Sequence, residues 1–345
     1  MKDTSACYAA IDLHSNNMTL VVMDPQGRVV KQAKLFCELP AVDAALQPFK
    51  KRLKAVVVES TFNWYWLVDG LEDLGYPVRL ANPAGFEPYE GLKHADDRSD
   101  ARFLAELARL DILPTGHIYD RRLRPVRDLL RRRALLVSKR TSLLVSLRSL
   151  HTRTRGTGVE TAWIKSCKAE DLLQHFEPGA DRLAAEIEKR HIDALAESIR
   201  RIELEVLPAA RSLPHFTKLK TIPGVGDILG MTIAMETGPI GRFATPEDFA
   251  SYCRTVPSKK LTNGRKKGEN NRKCGNRYLA WAFVEAANLI RRYDERAKRW
   301  FDRKASRTHK VIATKALACK LAKAAWHILK EGSPYDPNRL FAGKA

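Results

Sequence analysis

Four carboxylates in the first third of the chain carry the clearest chemical signal: Asp12, Glu59, Asp97 and Asp100. Asp12 lies at the end of the apolar run Ala9-Ala10-Ile11, and Glu59 directly follows Val56-Val57-Val58. Acids at the ends of neighbouring strands converge on one edge of a sheet. Asp97 and Asp100 are three apart, which puts them on one face if a helix starts there. Four carboxylates offer only hard oxygen ligands, suited to Mg²⁺ or Mn²⁺ rather than zinc. Two such ions can activate a nucleophile and stabilise the leaving oxygen at a phosphodiester. Any one of these acids alone reads as a helix cap or strand-end charge. The weight lies in the order Asp, Glu, then Asp-x-x-Asp along one fold.

A second set of residues is cationic. The formal net charge is +20 and the isoelectric point about 9.8, a balance that favours a polyanionic partner, nucleic acid first. A polar loop over about 257–276 holds Lys259, Lys260, Arg265, Lys266, Lys267, Arg272 and Lys273, with the hydroxyls of Ser258 and Thr262 among them. Its cations would neutralise phosphates, and a hydroxyl in such a setting can attack phosphorus; a purely backbone-binding loop is the plainer reading. Ile222-Pro223-Gly224-Val225-Gly226 precedes an apolar run. Gly224 and Gly226 there permit a tight backbone whose free N–H groups can receive a phosphate, as in helix-hairpin-helix elements; a plain helix–helix turn is the alternative. The Arg-rich stretch from Arg121 includes Arg131 and Arg132, either gripping nucleic acid or forming a solvated helix face. Trp64, Tyr65 and Trp66, and Tyr278, Trp281 and Phe283, read mainly as core, with base stacking as the alternative. His14, His94 and His191 stand isolated in sequence, and none is assigned as a ligand.

These groups need elements to hold them. Tyr8 to Leu13, Thr19 to Met23 and Val29 to Leu35 read as a β-meander turning at Pro25-Gln26-Gly27. A helix over 41–53, a buried strand at 55–58, a helix over 64–74 ended by Gly75, and a strand at 77–80 follow. That order matches a ribonuclease H-like core, although other mixed α/β sheets share it. Leu129, Leu136, Leu143 and Leu150 recur every seven residues on a long helix. A second helix over 181–207 places Leu183, Ile187, Leu195, Ile199, Ile202 and Val206 on one side. The pair predicts an antiparallel hairpin or an intersubunit coiled coil. The remainder is mostly helical. Three domains follow: residues 1–118, 119–213 and 214–345. No apolar run approaches the ~20 residues of a membrane span. The start of the chain lacks the apolar stretch of a signal peptide. Six cysteines without a Cys-x-x-Cys pair argue for reduced thiols and a cytoplasmic setting.

Together these motifs resemble the DEDD transposases of bacterial insertion sequences, the bridge RNA-guided recombinases. The anchors are Ala10-Ile11-Asp12, Val58-Glu59-Ser60-Thr61, Asn82-Pro83, Asp97-Arg98-Ser99-Asp100-Ala101, Ile222-Pro223-Gly224-Val225-Gly226 and Asn276-Arg277-Tyr278-Leu279-Ala280-Trp281-Ala282. The resemblance implies a RuvC-like N-terminal domain with Asp12, Glu59, Asp97 and Asp100 around Mg²⁺ or Mn²⁺, coiled-coil helices, and a C-terminal transposase domain supplying a serine nucleophile. It also implies target and donor DNA and a non-coding bridge RNA as partners. Composite active sites would come from a homo-oligomer, a dimer or tetramer, at the bacterial nucleoid. The chain departs from the pattern where the serine stands: Thr262 occupies the slot before Asn263-Gly264, with Ser258 as second candidate. The alternatives are a metal-dependent Holliday-junction-type nuclease, in which water attacks, and a nucleic-acid-binding derivative without catalysis.

Overall fold

The computed structural model describes residues 6–92, 97–213, 215–256, 260–262, 265–268 and 274–341. The chain divides into two compact units, Met1–Arg121 with Asn270–Cys274, and Arg122–Glu269 with Gly275–Ala345.

Unit 1 is a five-stranded mixed sheet of order β3-β2-β1-β4-β5. Its strands are β1 (Cys7–Leu13), β2 (Asn17–Met23), β3 (Val29–Phe36), β4 (Leu53–Glu59) and β5 (Val78–Ala81). β1 pairs antiparallel with β2 and parallel with β4, and β5 extends the parallel side. The central strands are almost wholly apolar because both faces are covered. On one face Ile11, Leu13, Val56 and Val58 pack with Val42 and Leu46 of α1 (Leu39–Leu46) and Leu67 and Leu71 of α2 (Tyr65–Asp73). On the other, Ala10, Ala55 and Val57 pack with Ala101, Leu104, Ala105 and Ala108 of α3 (Asp97–Arg109). Small residues on both sides of this second interface let the helix approach closely. The helix expected over 41–53 is shorter: α1 ends at Leu46, and a 3-10 turn over Gln47–Arg52 with a proline at its start leads into β4.

Unit 2 is helical. α4 (Arg124–Arg155) and α7 (Ala180–Val206) form a hairpin, with α5 (Thr161–Ser166) and α6 (Ala169–Leu173) near its tip. Leu144, Leu147, Leu150, Ile164, Leu172, Ala185 and Ile192 make its core. α4 starts later than the Arg-run suggested, with proline at its first turn. The expected apolar side of α7 is only partly the buried one. Leu183 and Ile187 are exposed, while Ala185, Lys189, Ile192, Ile199 and Val206 are buried. Buried Lys189 is tolerated because Asp193, one turn on, takes its ammonium at 2.7 Å. α8 (Phe216–Leu219), α9 (Asp227–Thr237), α10 (Pro246–Tyr252), α11 (Arg277–Ile290), α12 (Glu295–Arg307), α13 (Lys310–Glu331) and α14 (Pro337–Phe341) follow. Leu130 of α4 and Val206 of α7 share a core with Phe216, Met231 and Met235. The boundary expected between residues 213 and 214 is therefore crossed by continuous packing.

The expected loop over 257–276 contains a hairpin of β6 (Lys260–Thr262) and β7 (Arg265–Gly268), with Thr262 opposite Arg265. Among the described residues no helix is long and apolar enough to cross a membrane.

Candidate active site: an acidic sheet edge and an anchored basic hairpin

Strand register sets the first half of the site. Ile11 pairs with Val58 across the parallel β1–β4 contact, so Asp12 and Glu59 follow side by side at the C-terminal ends of adjacent strands. Alternation gives both the same face. Ala10 and Val57 contact the α3 layer, and Asp12 and Glu59 lie two residues beyond each. The direction of α3 brings in the other two acids. Its C-terminal Arg109 donates through Nη1 to the Pro25 carbonyl at 3.1 Å, in the turn after β2. That turn sits at the start of β1, because Tyr8 pairs with Met23. α3 therefore runs antiparallel to β1. From Arg109 back to Asp100 the helix rises roughly 13 Å. From Tyr8 to Asp12 the strand advances roughly 13 Å. The first turn of α3, with Asp97 and Asp100, is thus carried to the Asp12–Glu59 end. The helix expected at the Asp-x-x-Asp motif is present as α3, Asp97–Arg109.

Asp12 is only 5% exposed, and its Oδ2 lies 3.3 Å from His14 Nε2. His14 is therefore not isolated. The signal was its position two residues past Asp12, at the end of the same strand. The His14 carbonyl accepts from Asn63 Nδ2 at 2.9 Å, and Asn63 Oδ1 accepts from Thr61 Oγ1 at 3.0 Å, which ties the β1 and β4 ends together. Among the described residues no three of His, Cys, Asp and Glu are gathered closely enough to hold a metal ion; for Asp97 the structure gives backbone placement. Asp12 and Glu59 put carboxylates at the ends of adjacent strands, hard oxygen donors of the kind that suit a divalent cation.

Unit 2 presents a buried polar cluster that sequence reading missed. Glu236 at the end of α9 is 2% exposed. Its Oε1 accepts from Arg131 Nε at 2.6 Å, and its Oε2 accepts from Arg131 Nη2 at 2.7 Å and Asn276 Nδ2 at 2.7 Å. Burial works against the Arg131 charge, but the hydrogen bonds and charge of Glu236 outweigh it and raise the guanidinium above its ordinary range. Arg131 also lies over the Tyr278 ring, 4.7 Å from its centroid. Arg131, expected to grip nucleic acid, is thus occupied by a buried carboxylate, whereas Arg132 is exposed. Asn276 Oδ1 caps α11 by accepting from the N–H groups of Tyr278 and Leu279. Its own N–H donates to the Tyr252 carbonyl at 2.6 Å, at the end of α10. The two chain ends that flank residues 253–275, the segment that carries the basic hairpin, are therefore pinned together.

On that hairpin Arg265 is exposed, and Lys260, Thr262, Lys266 and Lys267 occupy strand positions. Ser258, Lys259, Arg272 and Lys273 lie outside the described residues. The missed signal for the hairpin is Asn263-Gly264, a pair that favours two-residue turns. Gly224 has φ +87°, and a Cβ there would meet Leu289 Cβ at 2.7 Å. Its glycine is thus required by packing against the end of α11. Gly226 precedes α9 with open space around it, leaving it the better placed of the two for a phosphate.

A transposase profile of the DEDD type matches residues 9–154, and one described as Transposase IS116/IS110/IS902 family matches residues 217–302. The chain is 27% identical to a probable family 20 transposase of Pseudomonas aeruginosa, over 79% of this chain and 82% of that protein. It is 25% identical to the transposase for insertion sequence element IS1328 of Yersinia enterocolitica, over 81% and 85% of the two chains. It is 24% identical to the transposase for insertion sequence element IS1111A of Coxiella burnetii, over 79% and 76%. With its acids ordered along a mixed α/β sheet and both halves matched, the chain belongs to the DEDD-type transposases of insertion sequences, enzymes of DNA transposition and recombination.

Proposed function

We propose that this transposase cuts and rejoins DNA through a hydroxyl nucleophile on the basic hairpin, with the acids of the sheet edge as the metal site. The observation that carries the reading is the side-by-side placement of Asp12 and Glu59, on the face that the start of α3 approaches. The sheet order β3-β2-β1-β4-β5 supports a ribonuclease H-like, RuvC-type assignment for unit 1. Asp12, Glu59, Asp97 and Asp100 would hold Mg²⁺ or Mn²⁺, which supplies Lewis-acid stabilisation of charge at the scissile phosphate.

The Thr262 oxygen attacks phosphorus and loses its proton to solvent. The P–O3′ bond breaks, the 3′ oxygen leaves and takes a proton from solvent to become a 3′-hydroxyl, and a phosphothreonine link stores the bond energy for rejoining. Thr262 stands at the hairpin tip opposite exposed Arg265, a cationic setting that favours an alkoxide. Ser258 is the second candidate. Lys259, Lys260, Arg265, Lys266, Lys267, Arg272, Lys273 and Arg132, with the Gly226 amide, hold phosphates of the target and donor DNA. A non-coding bridge RNA chooses both sites, and a dimer or tetramer assembled through long helices completes the active sites. The charge of +20 supports these polyanionic partners.

The test is a denaturing gel of the full chain incubated with Mg²⁺, DNA bearing the element's ends, and its flanking RNA. A protease-sensitive protein–DNA species is expected, lost in Thr262→Ala and kept in Ser258→Ala. The reverse pattern moves the nucleophile to Ser258. Cleavage without any covalent species contradicts the reading and favours attack by water.

A further inference from the structure

We infer that Phe62 is a stacking residue for an unpaired base of the DNA strand processed at the acidic edge, with Phe36 as a second ring at the same edge. This rests on the proposed role of that edge. Phe62 is 84% exposed and Phe36 75% exposed. Neither ring contributes to the core, so both faces of each are open to a ligand. Topology places both rings at the Asp12–Glu59 end of the sheet. Phe36 closes β3 and pairs with Asn17, which opens β2 just after the end of β1. Phe62 lies three residues past Glu59, at the end of β4.

The backbone around Phe62 is fixed. Ser60 N–H donates to the Ala81 carbonyl at 3.1 Å and Thr61 N–H to the Glu59 carbonyl at 2.8 Å. Thr61 Oγ1 donates to Asn63 Oδ1, and Asn63 Nδ2 donates to the His14 carbonyl. Residues on both sides of Phe62 are thus held while its own ring is presented to solvent. The next aromatic residue behaves in the opposite way: Trp64 is buried, packed edge-on against Tyr65. A pinned, exposed ring beside a phosphodiester site offers a π-face, and every unstacked base has one. A fully paired duplex keeps its bases stacked on each other and offers none. The ligand class is therefore DNA with an unpaired base next to the phosphate that is cut, as in a strand opened for exchange.

The test uses the full chain in EDTA, so that no strand is cut. It uses two probes of one sequence: a duplex with a 2-aminopurine left unpaired, and the same duplex fully paired. Wild type is expected to bind the unpaired probe more tightly and to change its fluorescence. Phe62→Ala is expected to weaken the unpaired probe about 5- to 150-fold, the range of one base–aromatic stack. Paired-probe binding and the melting temperature stay unchanged, and Phe62→Trp restores the difference. Equal binding of both probes by wild type, no loss in Phe62→Ala, or an equal loss on both probes overturns the inference. Metal-dependent cleavage by Asp12→Asn is measured in parallel. Retained cleavage sinks the acidic-edge reading, whereas lost cleavage with a neutral Phe62→Ala sinks the stacking role alone.

Discussion

Replacing Glu236 by Gln perturbs the cluster that anchors the ends of the basic-hairpin segment with almost no change of shape. Glu236 accepts hydrogen bonds from Arg131 Nε and Nη2 and from Asn276 Nδ2. Glutamine puts an NH₂ where one carboxylate oxygen accepted, so a donor faces a donor. It also removes the negative charge that Arg131 faces. Removing one partner of a buried ion pair costs about 3–5 kcal/mol. The Arg131 side chain is 31% exposed, so water recovers part of this, and the lower end, roughly 3 kcal/mol, applies. For a unit of roughly 200 residues each kcal/mol lowers the melting temperature by about 2–4 °C, giving a drop of about 6–12 °C. Calorimetry on the full chain reads this directly. The double variant Arg131→Met, Glu236→Leu removes both charges together and should recover most of the loss. If Glu236→Gln melts within about 1 °C of wild type, the cluster is not the anchor described. The same variant frees the Asn276 side chain that caps α11, so strand cleavage should fall even well below the melting transition.

The close approach at Gly224 gives a sharp contrast with its neighbour. Gly224→Ala combines a positive φ with a 2.7 Å clash on Leu289 and should cost about 1–3 kcal/mol in denaturant unfolding. Gly226→Ala has open space and should stay within about 0.5 kcal/mol while weakening DNA binding. At the tip of the α4–α7 hairpin, the His151 Nε2 and His175 Nδ1 atoms lie 2.9 Å apart. Burial, then the charges of His151 and Arg155, lower the pKa of His175 from 6.5. The unfolded chain therefore binds a proton that the folded chain resists, and stability falls as pH drops below about 6.5. His175→Phe should flatten melting temperature against pH between neutrality and pH 5, and an unchanged slope would remove His175 as its source.

The N-terminal sheet was legible because burial on both faces writes itself as short apolar, β-branched runs. Asp12 and Glu59 sit at the ends of those runs, so their neighbourhood could be inferred before any coordinates. α3 was legible as well, since Asp97 and Asp100 carry a spacing that puts both on one helix face. Face assignment on α7 was not, because Lys189 is buried where a stripe reading expects an apolar side chain. Leu183 and Ile187 are exposed despite it. The Arg131–Glu236 pair spans 105 residues, and no local pattern encodes a partner at that distance. Arg131 looked like one more cation in an arginine run, and its pairing with Glu236 of α9 is visible only in the packed structure. His14 was passed over because a lone histidine carries no spacing signal, although its strand-end position beside Asp12 did.

The proposed role of the Asp12–Glu59 edge is metal-dependent strand cleavage. Its most direct measurement is the cleavage rate of DNA bearing the element's ends, with the flanking RNA present, across a Mg²⁺ titration for wild type, Asp12→Asn and Glu59→Gln. Both variants are expected to bind the DNA as wild type does, with cleavage reduced by about 10²–10³-fold or more and a shifted or lost Mg²⁺ dependence. Wild-type rates and an unchanged Mg²⁺ titration in either variant would contradict it.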